Sequence, residues 1–211
     1  MLMRIRAGLA LAAAAVAAGL AGFWLAAQLD RGTPALASGT WLPRARPVVE
    51  FRLTDQSGQP FTRGELAGKP ALVYFGFTRC PDVCPTTMEK LAHVVRAAPL
   101  PDLRVVFVSI DPQRDPPPTL GLYVHAFDPG FIGLTGDPKM LGSLATNFGV
   151  AVSRVELPGG DYTMDHSAVV FVLDDSAHIV AIFTPPFDAA ALDADLARAA
   201  PYLGAKAHAT T

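Results

Sequence analysis

The sequence predicts an α/β domain, a mixed β-sheet flanked by helices, preceded by one N-terminal transmembrane helix. Three observations lead there. Apolar runs rich in β-branched and aromatic residues at 71–77 and 103–110 read as buried central strands, with a helix-length segment between them. Later runs at 168–173 and 178–183 flank Asp174-Asp175-Ser176 and read as an antiparallel hairpin. A strand–helix–strand unit followed by a hairpin implies a mixed sheet with helices on both faces. The third observation is an uncharged stretch from residue 7 to residue 29. At ~1.5 Å per residue it makes a helix roughly 34 Å long, enough to cross the hydrocarbon core of a bilayer.

Arg4 and Arg6 precede that stretch and would stay in the cytoplasm, which sends everything after Asp30 outward. The apolar core of a secretory signal is shorter, about 7–15 residues. Ala35-Leu36-Ala37 has the small-residue form of a cleavage site, but Asp30, Arg31 and Pro34 separate it from the apolar run. Residues 1–30 therefore read as an uncleaved anchor, with a cleaved signal segment as the other reading. Either way the domain faces the periplasm or an equivalent extracytoplasmic space, held to the cytoplasmic membrane by a single pass if the anchor stays. Residues 31–47, rich in Pro, Gly, Ala and Ser, read as a linker. The domain spans residues 48–203, and residues 204–211 form a frayed tail. Across 211 residues, Lys+Arg 17 stand against Asp+Glu 19. With no basic excess to neutralise phosphates, nucleic acid is excluded as a partner.

Within the domain, Val49, Phe51 and Leu53 alternate with polar residues and predict a half-buried strand, turned back at Ser57-Gly58. Gly68-Lys69-Pro70 leads into the first central strand. A helix is expected from about Cys84, with Pro85 in its first turn and Met88, Leu91, Ala92 and Val95 on its apolar face. Asp111-Pro112 ends the second central strand, and the prolines up to Pro118 set up a helix over 119–127. A further helix is expected over 138–148, a strand over 150–157, a turn at 158–161 and a closing helix over 187–203.

The chemistry centres on Cys80 and Cys84, the only two cysteines. Outside the cytosol such a pair first reads as a structural disulfide. A loop this short removes little entropy from the unfolded chain, so redox or metal chemistry explains it better. The pair follows a central strand at its carboxyl end, where open α/β sheets place their sites. Cys84 falls at a predicted helix N-terminus, whose unpaired N–H groups and dipole favour thiolate. Two thiolates need a third ligand. Of five histidines, His93 and His125 fall within helices, His178 begins a strand and His208 lies in the tail. His166 precedes the strand at 168–173, in a loop that would pack opposite the cysteine motif. On position alone it is either a ligand or a loop histidine bonded to its neighbours. Two soft sulfurs and one imidazole suit Cu(I), and tolerate Cu(II) with added oxygen or nitrogen. Zinc usually takes four protein ligands, or three plus water.

The arrangement resembles the Sco/SenC family of copper-binding assembly factors for cytochrome c oxidase, from about Val48 to Leu203. The likeness rests on Phe51-Arg52-Leu53-Thr54-Asp55, Gly68-Lys69-Pro70, Phe75-Gly76-Phe77-Thr78-Arg79-Cys80-Pro81-Asp82-Val83-Cys84-Pro85, Ser109-Ile110-Asp111-Pro112-Gln113-Arg114-Asp115, Tyr123 with Phe127, Gly133-Leu134-Thr135-Gly136 and Asp165-His166-Ser167. It implies a thioredoxin-like fold and copper ligands at Cys80, Cys84 and His166. It also implies an N-terminal membrane helix and, as partners, the copper-bearing subunit of cytochrome c oxidase together with other copper chaperones or thiol reductants. Phe77 stands where the family often has Tyr, and Met88 where it often has Leu; both changes conserve volume well enough to leave the site intact.

Several polar neighbours carry two readings. Asp82 either tunes copper capture and docking or caps the next helix. Asp111, Arg114 and Asp115 either brace the metal loop or form a turn with a local ion pair. Asp165 either orients His166 by accepting its ring N–H or is solvated. The leading function is a metallochaperone rather than a conventional enzyme. The alternative is a membrane-tethered thiol–disulfide oxidoreductase with Cys80 and Cys84 as its catalytic pair, although C-x-x-x-C departs from the C-x-x-C of thioredoxins. A peroxidase is weaker still, because Pro81 stands three before Cys84 where a threonine hydroxyl is required.

Overall fold

The computed structural model describes residues 16–22, 24, 33–97, 100 and 102–204. Most of the proposed span at 7–29 and nearly all of the tail at 204–211 lie outside the described residues. Residues 16–22 and 24 are helical and exposed. No helix among the described residues is long and apolar enough to cross a membrane.

From Pro34 onward the described residues form one unit. Its strands and helices are β1 (Thr40–Pro47), β2 (Arg52–Asp55), β3 (Pro60–Thr62), α1 (Arg63–Leu66), β4 (Ala71–Gly76), α2 (Val83–Ala97), β5 (Arg104–Ser109), α3 (Pro117–His125), β6 (Ile132–Thr135), α4 (Pro138–Phe148), β7 (Val152–Glu156), β8 (Tyr162–His166), β9 (Val170–Leu173), β10 (His178–Phe183) and α5 (Ala189–Ala199). Eight strands form a mixed sheet in the order β1-β10-β9-β4-β5-β6-β2-β3, while β7 and β8 pair only with each other. The central β4, β5 and β6 are parallel; β9 joins β4 antiparallel. This is a thioredoxin-like α/β fold. Every residue of β4 and β9 is buried, as their unbroken apolar runs require. Phe75, Phe148 and Phe171 meet edge to face with ring centroids 5.0–6.2 Å apart and lock α4 onto the sheet.

Local chemistry sets the element ends. Asp137 and Asp188 cap α4 and α5 by accepting hydrogen bonds from first-turn N–H groups. Gly149 ends α4 in the left-handed region at φ 78°, a conformation that suits glycine.

The structure corrects several expectations. Within the segment read as a linker, Thr40–Pro47 forms β1 and pairs with β10 at the sheet edge. An edge strand tolerates Pro43 and Pro47, because one side of it needs no ladder. Just before it, the wholly buried Asp195 of α5 accepts hydrogen bonds from the backbone N–H groups of Ala37, Ser38 and Gly39 at 2.8, 2.7 and 3.0 Å, and from the Ser38 hydroxyl. The segment is thus stapled to the domain by a carboxylate that sequence periodicity cannot reveal. Phe51 and Leu53 face the core as expected, but Val49 is exposed and Val48 is buried in its place. On α2, Val95 is only partly buried against the core, and Val94 is fully buried beside it. The strand at β7 lies outside the main sheet and is exposed along its length. Residues 162–166, expected as a loop, form β8.

Candidate metal centre

Strands β4 and β5 run in phase, with Gly76 beside Ser109, so the loops leaving their carboxyl ends lie side by side. Ile110 N–H donates to Gly76 C=O at 2.9 Å and ties them together. The first loop carries Cys80; Cys84 follows in the first turn of α2. The antiparallel β9 begins where β4 ends, with Val170 opposite Tyr74. The end of β8, four residues earlier in the chain, is thereby delivered to the cysteine loop.

Both cysteines are free thiols. The Cys84 N–H donates to Cys80 Sγ at 3.3 Å, and the Tyr74 hydroxyl donates to Cys84 Sγ at 3.6 Å. Gly76 lies directly against the sulfur: a Cβ there would stand 3.0 Å from Cys84 Sγ. Burial, reinforced by the hydrogen bond with Cys80, pushes the Cys84 thiol up to about 12. The thiolate preference expected of a helix N-terminus is therefore overridden, because Cys84 is fully enclosed. A cation arriving at the sulfur would displace that proton.

His166 ends β8, with Nε2 3.5 Å from Cys84 Sγ. Its Nδ1 lies 3.2 Å from the Ser167 carbonyl; a proton held there leaves the Nε2 lone pair facing the sulfur. Tyr74 and Phe77 pack edge-on to the ring at 6.0 and 6.1 Å. Burial holds the imidazole below its usual pKa, so at neutral pH it is the neutral, ligating form. Among the described residues no three Cys, His, Asp or Glu side chains already form a metal-holding group. Cys84 Sγ and His166 Nε2 face each other, and Cys80 Sγ accepts the Cys84 N–H beside them, a bond that leaves the sulfur lone pairs for a metal. The donor set of two sulfurs and a neutral imidazole fits a soft cation. A cavity of about 290 Å³ lined by Phe77, Cys80, Asp82, Met164 and His166 leads to it from solvent.

The polar neighbours divide the work. Asp115, wholly buried, accepts hydrogen bonds from Thr78 N–H at 3.1 Å, from the Thr78 hydroxyl and from the Ser109 hydroxyl at 2.6 Å. It ties the cysteine loop to the end of β5. Asp111 pairs with Arg114 and accepts the Tyr162 hydroxyl at 2.8 Å; Arg114 donates to the Tyr162 carbonyl at 2.7 Å. These two reach the hairpin that bears the histidine rather than the cysteine loop. Asp82 is exposed at the mouth of the cavity, with Thr86 Oγ1 at 3.5 Å. Asp165 does not take the ring N–H of His166. Strand alternation turns it to the exposed face, opposite Ser153, and the Ser167 carbonyl serves instead. Tyr74, Gly76, Thr78 and Tyr162 are contacts that motif reading misses. Period-two alternation back from His166 finds Tyr162, once residues 162–166 are known to be a strand.

The family model described as SCO1/SenC matches residues 42–201. The chain belongs to the SCO1/SenC family. Among curated SCO relatives, an SCO2-like protein of Rickettsia felis is 40% identical over 129 residues, covering 59% of this chain and 63% of its own. The mitochondrial SCO2 homolog of Mus musculus is 37% identical over 164 residues, covering 74% of this chain and 64% of its own. The chain thus spans a little under two thirds of the length of these SCO proteins. Among solved Sco structures, copper-bound ScoI of Arabidopsis thaliana superposes with a TM-score of 0.69 at 33% identity, over 73% of this chain and 98% of that one. Copper-bound ScoI of Bradyrhizobium japonicum gives a TM-score of 0.66 at 39% identity, over 72% and 98%.

Proposed function

We propose that this protein carries copper on Cys80, Cys84 and His166 and hands it to the dinuclear copper site of cytochrome c oxidase during assembly. The observation that carries the reading is the approach of Cys84 Sγ and His166 Nε2 to 3.5 Å, beside Cys80 and beneath an open cavity. Copper is cargo here, not a resident cofactor. A site whose ligands belong to separate elements, a loop, a helix turn and a hairpin, suits ligand exchange with an incoming acceptor. The copper-bound ScoI structures of A. thaliana and B. japonicum support the choice of metal. The acceptor comes from family membership; the N-terminal anchor over residues 1–30 and the extracytoplasmic setting rest on the uncharged stretch at 7–29 behind Arg4 and Arg6, which the family's usual membrane helix matches.

The test is anaerobic titration of the reduced full-length protein with Cu(I) against a competing chelator. One tight equivalent is expected. Cys80→Ser and Cys84→Ser should abolish it, and His166→Ala should weaken it by at least about tenfold. Binding indifferent to all three substitutions would end the proposal.

The thiol–disulfide alternative is favoured by one observation: Cys80 Sγ already rests on the Cys84 backbone, so the two sulfurs are close neighbours. In that role the two thiols would reduce a target disulfide, giving up two electrons and two protons and closing a Cys80–Cys84 disulfide. A midpoint potential outside the range of extracytoplasmic thiol partners would remove this reading.

A further inference from the structure

The hairpin of β7 and β8 brings His166 to the cysteines, yet it pairs with no strand of the main sheet. A two-stranded hairpin alone is marginally stable in water, so something must hold it. At its base, Ser167 N–H donates to Ala151 C=O at 3.2 Å, which closes the hairpin on itself rather than onto the domain. The far end is different. The Tyr162 ring is sandwiched between two guanidinium groups, Arg114 at 3.6 Å and Arg154 at 3.7 Å from its centroid. Its hydroxyl donates to Asp111 Oδ1 at 2.8 Å. Arg114 donates to the Tyr162 carbonyl at 2.7 Å and to Asp161 Oδ1 at 3.3 Å, while its Nε pairs with the buried Asp111. One residue is thus held by ring, hydroxyl and backbone at once. Tyr162, Met164 and His166 share the inward face of β8, so the residue that is gripped and the residue at the sulfur lie on one strand.

We propose that Asp111, Arg114 and Tyr162 form an anchor that fixes the β7–β8 hairpin to the end of β5 and thereby positions His166 against Cys84. These are positioning residues; none of them touches the sulfurs. The Asp111–Asp115 turn then serves both arms of the site. Asp115 holds the cysteine loop through Thr78, and Asp111 with Arg114 holds the histidine arm through Tyr162. The proposal rests on the copper reading of Cys80, Cys84 and His166.

The test is a double-mutant cycle between Tyr162 and His166 in the full-length reduced protein, read as Cu(I) affinity by chelator competition. Tyr162→Ala should weaken binding by about ten- to a hundredfold, the range for outer groups that orient a metal ligand. Tyr162→Phe, which keeps the ring between the guanidiniums and loses only the hydroxyl bond, should fall between Tyr162→Ala and the unaltered protein. In the His166→Ala background, Tyr162→Ala should change affinity by no more than about twofold. An equal loss in both backgrounds would mean general structural damage and would overturn the proposal, as would no loss at all. Amide hydrogen exchange of β8 in the metal-free protein separates the two layers of argument. Faster exchange in Tyr162→Ala and Tyr162→Phe is expected whether or not copper is the cargo, and unchanged exchange refutes the anchor. A His166→Ala protein that binds copper normally refutes the copper reading alone.

Discussion

Replacing Gly76 with alanine would put a methyl group against the cysteine site. Its carbon would lie 2.8 Å and 3.1 Å from two atoms of the Phe107 ring and 3.0 Å from Cys84 Sγ. Ordinary contacts begin near 3.4 Å, so the ring is too close by about 0.6 Å and the sulfur by about 0.4 Å. The ring cannot retreat: Phe107 is fully buried, with Tyr74 and Tyr123 at centroid distances of 6.1 and 5.2 Å. Nor can the strand, because Gly76 is held in register beside Ser109. The sulfur and the first turn of α2 are left to yield. Overpacking of this kind costs about 1–3 kcal/mol. For a protein of this size that lowers Tm by roughly 2–12 °C. Metal sites tolerate about 0.2 Å in ligand distance, so a sulfur displaced twice that far should weaken copper binding by tenfold or more. Thermal unfolding of the metal-free protein and chelator competition measure the two effects. Unchanged copper affinity together with a loss of stability below about 0.5 kcal/mol would refute the reasoning. A stability loss with copper affinity intact would show that the ring or the strand moves, not the sulfur.

Two further substitutions probe the scaffold. Asp115→Ala leaves Thr78 N–H and two hydroxyls without their buried acceptor, and should cost about 3–5 kcal/mol by urea unfolding; a loss under about 1 kcal/mol would show that water replaces the carboxylate. Asp195→Asn turns an amide N–H₂ toward backbone donors that cannot rotate away, and should cost about 2–4 kcal/mol while leaving copper affinity unchanged. Burial alone would raise the Asp195 pKa, but the hydrogen bonds from Ala37, Ser38 and Gly39 outweigh it and hold the carboxyl below its ordinary value. Its stabilisation is therefore complete above the ordinary carboxylate pKa and lost as pH falls through the lowered one. Melting curves of the two proteins should converge in strong acid, and a constant gap down to that pH would contradict the assignment.

How much of this was readable in advance follows the physics of each element. The central strands, the helix over Pro138–Phe148 and the hairpin around Asp174 announce themselves through continuous apolar runs and turn residues, signals that depend only on neighbours in the chain. The edge strand Thr40–Pro47 does not, because its prolines and arginines are tolerated only where one side faces solvent. Likewise β7 reads as a strand from the sequence, but β8 does not, and that the two pair with each other outside the main sheet is visible only in three dimensions. At the site, cysteine spacing and position after a central strand were legible, and Cys84 does lie at the start of a helix. Its raised thiol was not, since burial is a property of the assembled core. The partner of the His166 ring was missed for a related reason: an acidic neighbour in sequence, Asp165, points the other way on a strand, and a backbone carbonyl takes the bond. The roles of Asp111 and Arg114 could be seen as an alternative but not aimed, because Tyr162 is distant in sequence and meets them only through the fold.

The staple between Asp195 and residues 37–39 decides where this domain can be cut. A fragment starting at Trp41 would retain Cys80, Cys84 and His166 and most of β1, and on motif content would look complete. It would also strand a carboxylate inside α5 with its three backbone donors removed, leaving Arg198 as its remaining contact. Such a fragment should express poorly or melt early for a reason unrelated to copper. A boundary at or before Pro34 keeps the staple, and any comparison of metal affinities among truncated forms is meaningful only among those that retain it.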